Sequence, residues 1–173
     1  MIELYEEIYN LKKLLRRGWV VRSAAPDRSE SVSEHIFSCC VLALDIIEKE
    51  KLDLDQEKVL KILIYHEIGE IDLGDIIPMD NMSAAEKRER ELAGVSRVAE
   101  ECGRPDIVDI WLEFEENKTK EAQFANKIDK LDAILQAEIY SNKTGNTALA
   151  REFYETSKHR IEGLEHYVDD TSK

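Results

Sequence analysis

Residues 31–48 read SVSEHIFSCCVLALDIIE. Ser31 and Glu34 have the spacing of a capping box, in which each side chain bonds the other residue's backbone N–H at a helix start. From His35 to about Glu48 apolar residues fall on most faces without strand-like alternation, which predicts a central, buried helix. Helical periodicity continues on both sides of it. Leu4, Ile8, Leu11 and Leu15 recur at i, i+4, i+7 and i+11, the pattern of a first amphipathic helix. The intervening "RGWVVRSAAPDRSE" breaks that pattern with Gly18 and Pro26 and reads as an extended loop.

Further along, Asp55 can cap a third helix whose Val59, Leu60, Leu63 and Ile64 lead to His66. Gly69 and Gly74 loosen the chain after it, and Pro78 blocks continuation. Ser83 and Glu86 form a second capping box, opening a charged surface helix that ends near Cys102 and Gly103. Ile107, Ile110, Trp111 and Phe114 mark a fifth helix after Pro105. Thr119 opens a sixth through Asp129 to about Tyr140, and a last helix follows Asn146, over 146–168. There is no repeat, low-complexity tract or convincing strand alternation. The predicted fold class is all-α, a single helical bundle of about six to eight helices over residues 1–173, a length that fits one domain.

A net charge of −13, with 35% charged residues, repels nucleic-acid polymers and anionic membranes. A small anionic ligand remains admissible where a metal or local arginines reverse the field. Cys39, Cys40 and Cys102 are odd in number, two of them adjacent in an apolar stretch, and read as reduced thiols. Glu3, Glu6 and Glu7 stand where a signal peptide would carry basic residues. The longest uncharged run, residues 36–44, is far short of the ~20 needed to span a bilayer. These features lead to the expectation of a soluble, cytoplasmic protein.

Chemistry concentrates in "YHEIGEIDLGDI", residues 65–76. One histidine stands beside Glu67, Glu70, Asp72 and Asp75, and Glu70 sits where a metalloprotease helix would carry its second histidine. His35 lies in the first turn of the most apolar helix, where it is either structural or a ligand. Asp129 lies between Ile128 and Lys130 and is either a surface ion-pair partner of Lys130 or Lys127 or a buried donor. Together the three segments offer two imidazoles and two carboxylates, a set suited to a borderline divalent metal and unlike a thiolate structural zinc.

The spaced set "SVSEH … YHEIGEIDLGDI … KIDKLDAILQA" resembles the HD-domain metal-dependent phosphohydrolases, and most of all their 5′-deoxynucleotidase branch. The resemblance extends over residues 17–140. It implies His35, His66, Glu67 and Asp129 as ligands of one divalent ion (Mn, Co, Fe, Ni or Zn, with Mg admissible). Glu67 departs from the family's aspartate. Glu70 and Asp75 match the family's catalytic carboxylates. "RRGWVVR" matches its substrate clamp, with Trp19 against the sugar and Arg16 or Arg17 on the nucleotide, because Gly18 occupies the position where some members carry the arginine. Lys87 and Arg88 could meet phosphate or form helix pairs such as Lys87 with Glu91.

The implied activity is hydrolysis of deoxyribonucleoside 5′-monophosphates by a homodimer. Two rivals keep the fold: a phosphodiesterase for a signalling nucleotide, and a non-catalytic nucleotide sensor. His159 and His166, the remaining histidines, read as surface residues.

Overall fold

A computed structural model describes residues 2–77 and 80–170; Pro78 lies outside them. Among the described residues there is no named strand, and the chain is a helical bundle. The helices are α1 (Ile2–Lys13), α2 (Arg17–Val21), α3 (Val32–Glu50), α4 (Gln56–Tyr65), α5 (Glu70–Leu73), α6 (Ala84–Glu101), α7 (Asp106–Glu116), α8 (Lys120–Thr144) and α9 (Thr147–Ser157).

The caps explain most of the boundaries. Ser31 N–H donates to Glu34 (2.7 Å) and Glu34 N–H to Ser31 Oγ (3.2 Å), so the box that opens α3 is complete. Asp55 accepts from Lys58 N–H at the start of α4, and Thr119 from Ala122 N–H at the start of α8. At α6 only half of the second box forms. Ser83 accepts from Glu86 N–H, while the Glu86 carboxylate turns along the helix to Arg90 at 2.7 Å.

Three expectations are corrected. The stretch after α1 is not wholly extended: Trp19 and Val20 N–H donate to the Arg16 carbonyl, and the Arg17 N–H donates to the Asp75 carboxylate. Tertiary contacts thus fix a five-residue helix whose glycine and valines would not form it alone. Next, α3 buries one stripe (Val32, His35, Cys39, Ala43, Ile46), while Phe37, Val41 and Leu44 face outward at 70%, 50% and 40% exposure. Last, the C-terminal helix stops at Ser157. Two short 3₁₀ turns follow, at Lys158–Arg160 and Glu165–Tyr167, with Gly163 at φ +88° between them.

The core of the bundle lies where α3, α4 and α8 pack on one another. Ile128, Leu131 and Ile134 of α8 are fully buried against Leu63, Ile62 and Cys39. Burying each such side chain contributes about 1.5–3 kcal/mol, enough to lock the register of α8. That register turns the neighbouring Asp129 and Asp132 inward, toward α3 and α4. A second cluster joins α1, α6 and α7 through Leu11, Val95, Val98 and Trp111. Arg97 of α6 fastens this side by bonding both Asp72 of α5 (2.7 Å) and Glu7 of α1 (2.8 Å).

Candidate metal centre

His35 projects inward from the buried stripe of α3 and is fully buried. Asp132 holds its Nδ1 at 2.6 Å, which leaves Nε2 facing Asp129 Oδ1 at 3.3 Å and Glu67 Oε1 at 3.8 Å. His66 occupies the C-cap of α4, where the last turn's carbonyls are free. Its Nδ1 donates to the Leu63 carbonyl at 2.7 Å. A carbonyl can only accept, so Nε2 carries a bare lone pair, 3.6 Å from Glu67 Oε1. The Phe114 ring closes the apolar wall behind it, at 4.9 Å between centroids.

One donor atom from each of His35, His66, Glu67 and Asp129 falls within 4.8 Å of the other three. Each imidazole is oriented through its second nitrogen, as ligating histidines usually are. Asp129 shares its charge: Oδ1 faces His35, and Oδ2 pairs with Lys130 at 2.8 Å. The surface-pair and buried-donor readings of this residue therefore coexist. Lys127 is elsewhere, on the Glu162 carbonyl.

The electrostatics favour a cation. Burial opposes protonation of His35, as does Arg16, but Cys39, Asp129 and Asp132 together raise its pKa well above the ordinary value. The field that favours a proton on Nε2 favours a metal ion in the same place. Burial depresses His66, which stays neutral as a ligand must. Burial also works against ionisation of Asp129, yet Lys130 and the two histidines hold its carboxyl well below the carboxylate range. A second trio, His35, Cys39 and Asp132, is also compact. There burial pushes the Cys39 thiol up to about 12, so it remains protonated, and Asp132 already occupies Nδ1. The four-donor set is the better site.

Glu70 opens α5 and is buried at 4% exposure. Burial, then the charges of Glu67 and Asp75, raise its pKa well above the ordinary carboxyl value, while Arg16 and Lys87 oppose them. The turn that carries it is tightly packed. A Cβ on Gly69 would lie 3.0 Å from the Glu91 carbonyl and side chain of α6, so only glycine lets that helix approach. After Gly74, at φ +79°, Asp75 accepts the Arg17 N–H, and this contact ties α2 to the α5 loop.

The two candidate arginines separate clearly. Arg17 is committed: its guanidinium grips Asp80 at 2.7 and 2.9 Å and reaches the Asp75 carbonyl at 3.1 Å. Arg16 has a buried Nη1 without a partner among the described residues, and its charge is held by Glu67, Asp129, Glu30 and Asp132 against the penalty of burial. Lys87 pairs with Glu91 at 3.2 Å and still bears on Glu67 and Glu70, whereas Arg88 is exposed.

Trp19, expected against a sugar, is 1% exposed. It stacks on Phe153 (4.4 Å), meets Tyr140 edge-on (5.4 Å) and donates to Glu30 at 2.8 Å. These contacts fix the ring in place. The sequence reading left Asp132 and Glu30 without roles. Asp132 could have been found by its spacing, one turn after Asp129, but Glu30 carries no signal in a loop.

Residues 8–167 match the HD domain family. The chain belongs to that family. Its relatives include the 5′-deoxynucleotidase HDDC2 of Danio rerio, 31% identical over 89% of this chain and 76% of that protein. The Homo sapiens counterpart is 29% identical over 91% and 76%. A conserved hypothetical protein from Pyrococcus furiosus superposes with a TM-score of 0.79 at 27% identity, covering 96% of this chain and 92% of that one. A predicted metal-dependent phosphohydrolase from Magnetospirillum magnetotacticum does so at 0.75 and 25% identity, covering 99% and 90%. Within the HD domain proteins, the chain falls in the 5′-deoxynucleotidase branch, as the spaced motifs implied.

Proposed function

We propose that this HD-domain protein is a metal-dependent phosphomonoesterase releasing inorganic phosphate from deoxyribonucleoside 5′-monophosphates. One observation carries the reading. Among the described residues, the buried side-chain nitrogens and oxygens without a partner are His66 Nε2 and Arg16 Nη1; the first belongs to the donor set, and the second interacts with the charges of that set's Glu67 and Asp129. A bare imidazole lone pair calls for a cation, and a guanidinium N–H for an anion. A phosphate monoester held beside a divalent cation satisfies both.

His35, His66, Glu67 and Asp129 would hold one such ion, from Mn²⁺, Co²⁺, Fe²⁺, Ni²⁺ or Zn²⁺, with Mg²⁺ admitted. When bound, it lowers the pKa of water beside it and offsets charge on phosphoryl oxygens. The chain's own groups do the rest. Arg16 binds and orients the phosphate. Glu70 accepts the proton of the attacking water as a P–O bond forms, and returns it to the 5′ oxygen as the bond to phosphorus breaks, so that the nucleoside leaves as a neutral alcohol. Asp75 stands beside Glu70 and holds α2, and hence Arg16, in register; Lys87 adds positive charge near Glu67 and Glu70.

The names of the curated relatives support the nucleotide substrate. The same proposal takes residues 1–173 as one domain working in the cytoplasm as a homodimer, without nucleic-acid or membrane partners. The three cysteines are unpaired, and no helix among the described residues is long and apolar enough to cross a membrane. The outward stripe of Phe37, Val41 and Leu44 offers a second copy an uncharged face.

A phosphate-release screen over deoxyribo-, ribo- and 3′-monophosphates and cyclic nucleotides, with each metal in turn, tests the reading. Deoxyribonucleoside 5′-monophosphates should react fastest, with little dependence on the base. Equal rates on AMP and dAMP would overturn the deoxy preference and favour the signalling-nucleotide rival.

A further inference from the structure

We propose that Glu30 is a positioning residue that aims Arg16 at the substrate phosphate, and that the Trp19 indole N–H holds Glu30 in place for that task. The inference rests on the phosphomonoesterase reading above and assigns a part to a buried carboxylate outside the metal set.

Glu30 is buried at 8% exposure. It is fixed from three sides. Its Oε1 accepts the Trp19 indole N–H at 2.8 Å, its own N–H donates to Tyr140 Oη at 3.1 Å, and its carbonyl accepts the Arg16 N–H at 3.0 Å. The strand-like bridge between Leu15 and Ser31 sets the two segments side by side, so Arg16 and Glu30 are neighbours by backbone as well as by charge. Glu30 Oε1 stands 3.8 Å from Arg16 Nε. It faces the Nε edge of the guanidinium, leaving Nη1 unbonded.

Four carboxylates bear on Arg16, and three of them have other work. Glu67 and Asp129 belong to the metal cluster, and Asp132 holds His35 Nδ1. Glu30 is the one free to serve as the arginine's own counter-ion. Its oxygen is anchored by an indole that is itself clamped between Phe153 and Tyr140. A fixed anion on one edge of a guanidinium orients the opposite edge, which makes the phosphate contact geometric as well as electrostatic.

The test compares Glu30→Gln, Trp19→Phe and Arg16→Lys in the metal-loaded protein. Glu30→Gln keeps an acceptor for the indole and removes the charge beside Arg16. It should raise KM for dAMP about tenfold, the worth of one charge-assisted contact, with a much smaller change in kcat. Calorimetric titration with inorganic phosphate should weaken in parallel, and this readout stands even if no nucleotide is hydrolysed. Trp19→Phe, which keeps the ring stack and loses the N–H, should move both quantities in the same direction by less. In an Arg16→Lys background, Glu30→Gln should add little. Unchanged KM and phosphate affinity, or a lowered melting temperature with unchanged KM, would overturn the role. If Glu30→Gln does not fold, Trp19→Phe decides by the same two quantities. Absence of phosphate release by the parent protein counts against the phosphomonoesterase reading and leaves the titration to judge Glu30.

Discussion

The metal donors and the substrate clamp stand on different scaffolds. His35, His66, Glu67 and Asp129 project from α3, the end of α4 and α8, helices of ten or more residues that pack on one another through a fully buried core. Arg16, Arg17 and Trp19 stand on or beside the five residues of α2, held by side chains from outside it: Asp75, Asp80, Glu30, Tyr140 and Phe153. Three of the four donors have a partner that fixes or shares them: Asp132 and Leu63 hold the imidazoles, and Lys130 pairs with Asp129. In the clamp, by contrast, adjacent residues have opposite fates. Arg17 is spent on structure, Trp19 is buried, and Arg16 alone keeps a free buried donor. A long packed helix fixes its side chains by register, whereas a short segment depends on which loop residue reaches it.

If that contrast is right, damage should be graded. The largest effect belongs to the donors. His66→Ala or Asp129→Ala should lose the ion and fall to the activity of chelated protein while keeping helix content by circular dichroism. Arg17→Ala, which removes a solvent-screened pair with Asp80, should leave metal content unchanged and lower the melting temperature only slightly. Comparable loss of metal in Arg17→Ala would break the comparison.

Glu70→Gln comes next. The amide is nearly isosteric and cannot take a proton, so kcat should drop by about 10²–10⁴-fold. Metal content, measured on the same preparation, should match the parent's. Retention of full kcat would remove Glu70 from the mechanism.

Asp132→Asn sharpens the comparison from the other side. Loss of the carboxylate that orients a ligating histidine typically costs about 10–100-fold in metal affinity. Competition with a metal-binding dye should show that loss, and saturating metal should restore most of the rate. An unchanged affinity would mean that packing alone orients His35.

The sequence made α3, α4 and α8 legible because each carries two independent signals, a cap and buried apolar positions. Ser31, Asp55 and Thr119 all cap the helices expected of them. The donor set was legible as a resemblance whose spacing the register of α3 and α8 turns into proximity. α2 was not legible, because Gly18 and the valines oppose a helix and partners distant in sequence stabilise one, among them Asp75, 58 residues away, and Tyr140. The end of α9 was missed because apolar positions continue beyond it: Ile161, Leu164 and Val168 reach the core through turns around Gly163. Nor could composition show that α3 leaves Phe37, Val41 and Leu44 outside. Glu30 and Asp132 are charged residues in ordinary-looking positions, and only burial and partners reveal what they do.

The central claim is that four donors from three helices hold a divalent ion on which phosphate release depends. Phosphate release from dAMP, followed before chelation, after it and after stoichiometric Mn²⁺ or Co²⁺ is returned, tests this most directly. The rate should fall to background with the chelator and recover with the ion, with His35→Ala failing to recover. Hydrolysis at full rate by the chelated protein would contradict the claim.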